Sequence, residues 1–128
     1  MFLELRKTLS DGRILVYTRS DDETNYSTAK SRCSPGHLPV PATQEENEFL
    51  ASLGGTWLGF TTDNMANIIY SNWLSGEPSN DGVAVQLIAG DKWGKTWDGA
   101  WNDQRTTANF PYICYSVIEN QGKCFSII

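Results

Sequence analysis

The pattern of hydrophobic and polar positions predicts several short strands. Residues 13–18 are rich in β-branched and aromatic side chains and follow Asp11-Gly12, which predicts a strand after a turn. An acidic, polar connector is expected at Asp21-Asp22-Glu23. Short apolar runs predict the later strands, which are residues 57–60, 68–70, 83–88 and 112–115.

Two short helices are predicted before residue 55. From Asn25 onward, apolar side chains recur at i, i+3 and i+7 as far as Cys33, and Ser34-Pro35-Gly36 would end this helix. The second helix begins with a capping box, Thr43-Gln44-Glu45-Glu46, and would end at Gly54-Gly55. Its apolar stripe consists of Phe49, Leu50 and Leu53.

The order of these elements indicates the fold class. Helices come early and short strands come late, which favours an α+β fold. Residues 71–82 are rich in Ser, Asn, Gly and Pro, and structureless connections of this length are often functional or disordered. The length of 128 residues suits one domain, with a core at about residues 13–118 and a C-terminal tail at 119–128.

Composition and charge exclude several classes of function. The formal net charge is −5 and Lys and Arg are scattered, so no basic stripe is present to bind nucleic acid. No apolar run has the length of a membrane span, and residues 1–14 lack the apolar segment of a signal peptide. His37 is the only histidine and lies in a turn rich in Pro and Gly. No nucleophilic side chain lies at a catalytic spacing from a general base in the sequence, so the chain is not expected to be an enzyme.

Three cysteines leave two interpretations open. Cys33, Cys114 and Cys124 are either buried free thiols in a cytosolic protein, or two of them pair in an oxidising compartment. A bridge between Cys33 and Cys114 would close a loop of about 80 residues and stabilise the fold by roughly 4–5 kcal/mol. Their spacing does not match a zinc site.

Short motifs along residues 29–114 together resemble the C-type-lectin-like domain. They are Ala29 with Cys33, Gly36 with Leu38, Glu46-Asn47 with Phe49-Leu50, Trp57-Leu58-Gly59-Phe60, Asn72-Trp73, Gly76-Glu77-Pro78, Val85-Gln86-Leu87, Trp101-Asn102-Asp103 and Tyr112-Ile113-Cys114. The resemblance implies helices that flank a pair of small antiparallel sheets, and a long loop that carries the binding site. It also pairs Cys33 with Cys114 and implies a protein that is secreted or on the extracellular face of the cell surface. Both cysteines of the family's second disulfide are absent.

The resemblance further implies a calcium site. Its ligands would be Glu77, Ser79, Asp81, Asn102 and Asp103. Calcium binds six to eight oxygen ligands, and carboxylates, hydroxyls and amides supply such oxygens. The Glu77–Pro78 peptide bond is expected to be cis. Ser79 stands where the family usually has Asn or Asp, and Asp81 sits earlier than the usual loop acid. Asp63 resembles a ligand of an auxiliary calcium site but lacks acidic neighbours in the sequence.

The predicted function is therefore calcium-dependent recognition of vicinal sugar hydroxyls. The sugar contacts would be Glu77, Ser79, Asn102, Asp103 and Trp97. The expected partner is a glycan, with mannose-type sugars slightly favoured. The alternative is a calcium-independent domain that recognises a protein through the long loop. Cys124 would allow a disulfide-linked dimer.

Overall fold

The chain folds into two helices and six strands within residues 2–10, 12–89 and 98–118, the parts that this structure, a computed structural model, describes. In chain order the elements are β1 (Phe2–Thr8), β2 (Ile14–Thr24), α1 (Tyr26–Cys33), α2 (Gln44–Ser52), β3 (Thr56–Thr61), β4 (Ala84–Leu87), β5 (Trp101–Gln104) and β6 (Phe110–Ile118). Both predicted helices are present. The long loop between β3 and β4 is also present.

The strands form two small antiparallel sheets. The first sheet has the order β1-β2-β6, and the second has the order β3-β4-β5. The register of β2 against β6 shifts between Arg19 and Glu23. Two helices with two small antiparallel sheets confirm the α+β prediction.

Large aromatic side chains occupy the core. Trp57 and Trp101 are each 0% exposed. The Trp101 ring lies 5.5 Å from the Trp73 and Phe60 rings and 5.9 Å from the Tyr70 ring, in edge or tilted contacts. Aromatic side chains bury much area per residue and favour such arrangements. Trp101, which begins β5, is therefore fixed in the centre of the molecule.

Both helices begin with the side-chain caps that their sequences provide. The Asn25 side chain accepts a hydrogen bond from Thr28 N at 2.9 Å at the start of α1, and the Thr43 hydroxyl accepts one from Glu46 N at 3.1 Å at the start of α2. Such caps satisfy backbone donors that a helix start leaves free. A disulfide joins Cys33 at the end of α1 to Cys114 in β6, as the resemblance implied. Neither helix in the described residues is long and apolar enough to cross a membrane.

The structure corrects several local predictions. Residues 68–70 form no strand, because Ile69 is 83% exposed and Ile68 N bonds Met65 O in a turn. The predicted connector at residues 21–23 belongs to β2, which pairs with β6 as far as Thr24. β1 and β5 were not predicted as strands.

Candidate functional site

One half of the candidate site lies on β5, in the second sheet. Asn102 pairs with Gln86 and Asp103 pairs with Val85 of β4. Trp101 and Asp103 are buried, whereas the intervening Asn102 is half-buried. Alternate residues of a strand point to opposite faces, so Asp103 projects on the same face as the core tryptophan. The sheet thus fixes the position of the Asp103 carboxylate.

Two asparagines anchor the start of β5. The buried Asn47 of α2 accepts a hydrogen bond from Trp101 Nε1 at 2.7 Å and donates to Gly99 O at 2.9 Å. Asn72 donates to the same carbonyl at 2.8 Å. Buried polar groups are costly unless they are paired, and each of these groups is paired. The chain is therefore held firmly just before Asn102.

The other half of the site lies in the loop between β3 and β4. Leu74 N bonds Trp101 O and Trp101 N bonds Asn72 O, both at 2.9 Å, so this loop runs alongside β5. The Glu77–Pro78 peptide bond is cis, as the resemblance implied. These contacts bring residues 77–81 over the end of β5.

Backbone N–H groups of the loop donate hydrogen bonds to the Asp103 carboxylate. Its Oδ1 accepts a hydrogen bond from Ser79 N at 3.2 Å, and its Oδ2 accepts from Asn80 N at 2.6 Å and Asp81 N at 3.0 Å. A carboxylate offers about four acceptor positions, and three of them receive backbone N–H groups of the loop. Asn80 reaches its place with a φ of 70°, a left-handed conformation that asparagine tolerates. Asp103 is 0% exposed.

The carboxyl groups of Glu77 and Asp103 influence each other. The pKa of Glu77 is raised chiefly by its hydrogen bond to Asp103, against a smaller opposing effect of Ser79. Burial raises the pKa of Asp103, but hydrogen bonds from Glu77 and from the backbone of Ser79, Asn80 and Asp81 together outweigh it and lower that pKa. Asp103 therefore remains ionised while Glu77 holds its proton to a higher pH than an ordinary glutamate.

These side chains fit the oxygen donors that calcium requires. Carboxylate oxygens of Glu77, Asp81 and Asp103 all lie within 4.8 Å of one another. Two oxygens that bind the same calcium ion at 2.3–2.6 Å are at most about 5.2 Å apart, so these three groups are close enough to share one ion. The amide oxygen of Asn102 is buried and has no hydrogen-bond partner. An unpaired buried acceptor is costly, and a cation would satisfy it.

The structure places the other predicted site residues as follows. Ser79 lies inside the cluster, where its hydroxyl donates to Asp81 Oδ2 at 2.9 Å. Trp97 and Cys124 lie outside the described residues. Asp63 accepts a hydrogen bond from the Thr61 hydroxyl. Among the described residues, only Glu77, Asp81 and Asp103 form a group of acidic side chains close enough to share a metal ion, so Asp63 has no acidic neighbours for an auxiliary calcium site.

One site residue was not anticipated from the sequence. Asn80 donates its backbone N–H to Asp103. It does so from a left-handed backbone conformation, which asparagine adopts more readily than most other residues. The sequence Asn80-Asp81-Gly82 carries the signal, because Asn, Asp and Gly are the residues that favour such turns.

Comparison with known proteins identifies the fold. No protein-family model matches the chain. E-selectin from Bos taurus is 26% identical over 137 residues, which covers 91% of this chain and 27% of E-selectin, so the chain spans about a quarter of that relative. The mouse scavenger receptor C-type lectin carbohydrate-recognition domain superposes with a TM-score of 0.67 at 22% identity, covering 87% of this chain and 92% of that one. The chain therefore has the C-type-lectin-like fold.

One solved neighbour of this fold does not depend on calcium. A calcium-independent type II antifreeze protein superposes with a TM-score of 0.67 at 20% identity, covering 85% of this chain and 89% of that one. The fold alone thus leaves calcium dependence to be decided by the residues of the site.

Proposed function

We propose that this C-type-lectin-like domain is a calcium-dependent glycan-binding module. The metal ligands would be Glu77, Ser79, Asp81, Asn102 and Asp103. The observation that carries the proposal is the convergence of the carboxylates of Glu77, Asp81 and Asp103 within 4.8 Å. Asn102, which precedes Asp103 in β5, adds an amide oxygen that is buried without a partner. Carboxylates and amide oxygens are the donors that calcium prefers.

Each side chain has a distinct part in recognition. When bound, calcium supplies coordination positions for two adjacent hydroxyls of a sugar. Glu77 would accept a hydrogen bond from one hydroxyl, and the Asn102 amide would donate one to another. Asp103, which is buried, would hold the loop and contact the sugar through the bound metal, whereas the exposed Ser79 would face the sugar directly. Trp97 would stack on the sugar ring, and mannose-type sugars are slightly favoured.

The disulfide and the relative point to the extracellular environment. Disulfides persist in oxidising compartments, and the Cys33–Cys114 bridge is part of this fold. Together with the similarity to E-selectin, this supports a protein that is secreted or on the extracellular face of the cell surface. We further propose that residues 1–128 are one domain with a core at about 13–118, and that Cys124 in the tail at 119–128 forms an intermolecular disulfide.

A glycan array tests the proposal. Binding is expected in calcium and should vanish in a chelator and in the Asn102→Ala variant, which loses the unpaired amide oxygen. Asp63→Ala is the matched control, because it removes an exposed acid outside the cluster and should bind as the parent chain does. Binding that persists in the chelator would overturn the metal mechanism.

A second candidate function rests on the hydrogen bonds that the loop donates to the Asp103 carboxylate. Three backbone N–H groups of the loop already donate to that carboxylate, so the protein's own backbone holds the loop closed. Ile69, in the same long loop, is 83% exposed and offers an apolar contact. These features favour calcium-independent recognition of a protein partner. This function predicts that the amides of Ser79, Asn80 and Asp81 exchange with solvent at the same rate in calcium and in chelator, whereas a calcium site predicts slower exchange in calcium.

A further inference from the structure

A short sequence motif at the start of α1 has no part in the candidate site. Asn25-Tyr26-Ser27 has the pattern Asn-x-Ser, and its middle residue is not proline. N-linked glycosylation requires this pattern, or the same pattern with Thr, of its acceptor asparagine. Asn25 is the only asparagine of the chain with Ser or Thr two positions later. An N-linked glycan on this chain would therefore be attached to Asn25.

The oxygen and the nitrogen of the Asn25 side-chain amide have different surroundings. The oxygen, Oδ1, accepts the 2.9 Å hydrogen bond from Thr28 N that caps α1. The nitrogen, Nδ2, donates to no group in the described residues. In that part of the chain, the buried side-chain N and O atoms without a partner are Arg19 Nε and Asn102 Oδ1, so Asn25 Nδ2 is in contact with solvent. The atom that would carry a glycan is thus free and accessible.

The surface around Asn25 leaves room for a glycan. Ser27 is exposed in the first turn of α1, and its hydroxyl bonds none of the residues that the structure describes. Tyr26 N bonds Thr106 O at 3.3 Å, and Thr106 belongs to a turn whose residues 105–107 are all exposed. A glycan on Asn25 Nδ2 would therefore extend into solvent without displacing a core side chain.

Tyr26, between the two polar residues of the motif, determines when a glycan could be attached. It is 8% exposed, and its ring packs edge-on against Trp57 with the ring centroids 5.9 Å apart. The disulfide from Cys33 to Cys114 fixes the other end of α1. An enzyme that must bind all three residues of the motif cannot reach them together in the folded chain. The attachment would therefore precede the packing of α1 against the core.

We propose that Asn25 carries an N-linked glycan. The donor is an oligosaccharide joined through its C1 atom to a lipid diphosphate. The Nδ2–H bond of Asn25 and the bond from C1 to the phosphate oxygen break, a bond between Nδ2 and C1 forms, and the lipid diphosphate leaves with the proton. The product is still an amide, so Oδ1 continues to cap α1. The proposal rests on the proposed extracellular location and is independent of calcium and of sugar binding.

Secretion of the full chain from a eukaryotic cell line, behind a cleavable leader, tests the proposal. The parent chain should migrate as a larger species that peptide-N-glycosidase returns to the size of the unmodified chain. That enzyme should also convert Asn25 to aspartate, which mass spectrometry detects. Ser27→Ala should abolish the shift, whereas Ser27→Thr, which keeps the hydroxyl, should retain it. Because the leader imposes the compartment, the result reports on the site and not on where the natural protein resides.

Asn25→Asp is the matched control for folding. Aspartate caps helices as well as asparagine does but offers no amide nitrogen. This variant should be secreted without the shift, and its melting temperature should equal that of the parent chain after treatment with the glycosidase, since the two then have the same sequence. A secreted parent chain of unmodified size would overturn the proposal. A shift that persists in Asn25→Asp or in Ser27→Ala would place the modification elsewhere and would overturn it as well.

Discussion

The two halves of the candidate site are held in place by different means. The β5 half belongs to the core, because Trp101 is 0% exposed, its ring bonds Asn47, and its strand pairs with β4. The loop half consists of the half-buried Glu77 and the exposed Ser79 and Asp81. Its contacts with β5 are concentrated on a single carboxylate, that of Asp103.

The difference implies that the strand half of the site contributes mainly to the stability of the fold, whereas the loop half contributes mainly to ligand binding. Packing fixes the strand half whether or not a ligand is present, since protein interiors are close-packed and rigid. The loop half depends on hydrogen bonds to one ionised group, and such bonds can be exchanged for metal coordination. Substitutions in the two halves should therefore differ in what they change.

The largest effect is expected in the strand half. Trp101→Ala should lower the free energy of unfolding by roughly 3–5 kcal/mol, because it removes a fully buried aromatic ring and leaves a cavity. Chemical denaturation in the presence of a chelator measures this loss. Glu77→Gln, in the loop half, is the comparison and should stay within about 0.5 kcal/mol of the parent chain. Equal losses of unfolding free energy in the two variants would contradict the proposed difference between the strand half and the loop half.

An intermediate effect is expected where the halves meet. Asp103→Ala removes the acceptor of the Asn80 and Asp81 amides, so these amides should exchange faster with solvent by tenfold or more, on the order of one hydrogen bond each. Ser79 N keeps its bond to Glu77 Oε1 at 2.9 Å and should change less. Hydrogen exchange in chelator measures this change residue by residue. Asn102→Ala, one position away, removes an oxygen without a partner and should leave these amides unchanged. Unaltered exchange in Asp103→Ala would mean that other contacts hold the loop.

The smallest effect concerns pH and the loop half alone. Glu77 must lose its proton to bind calcium, and its pKa is raised by the hydrogen bond to Asp103. Calcium affinity should therefore be constant near neutral pH and fall by up to roughly tenfold per pH unit below the pKa of Glu77. The pKa of Asp103 is lowered, so Asp103 stays ionised in that window. Calorimetric titration should show that Glu77→Gln flattens this dependence, and a flat profile in the parent chain would contradict the assignment.

The sequence predicted elements whose local signals agree with their surroundings. Asn25 and Thr43 cap helices that begin where the side chains place them, and the apolar run in β3 became a buried strand. The run at residues 68–70 was misleading, because Ile69 points to solvent and local hydrophobicity alone does not decide pairing. β5 was missed because Asn102 and Asp103 interrupt its pattern, and its strand conformation comes from pairing with β4.

The candidate site was predictable in its residues and not in its contacts. The motif residues Glu77, Asn102 and Asp103 were recognisable from their order in the chain. The tertiary hydrogen bonds were not, because they join Asp103 to backbone groups more than 20 residues away in the sequence, from Ser79 to Asp81. The sequence Asn80-Asp81-Gly82 signals a turn but not the residue to which its N–H groups donate, so the role of Asp103 in holding the loop emerges only from the fold.

Thermal unfolding in calcium and in chelator tests the central claim most directly. A ligand that binds the folded state stabilises it by mass action, about 2.7 kcal/mol at a calcium concentration one hundred times Kd. The melting temperature of the parent chain should then rise on the order of 10 °C, and the rise should be lost in Asn102→Ala and kept in Asp63→Ala. The same melting temperature for the parent chain in calcium and in chelator would contradict a calcium site built from Glu77, Asp81, Asn102 and Asp103.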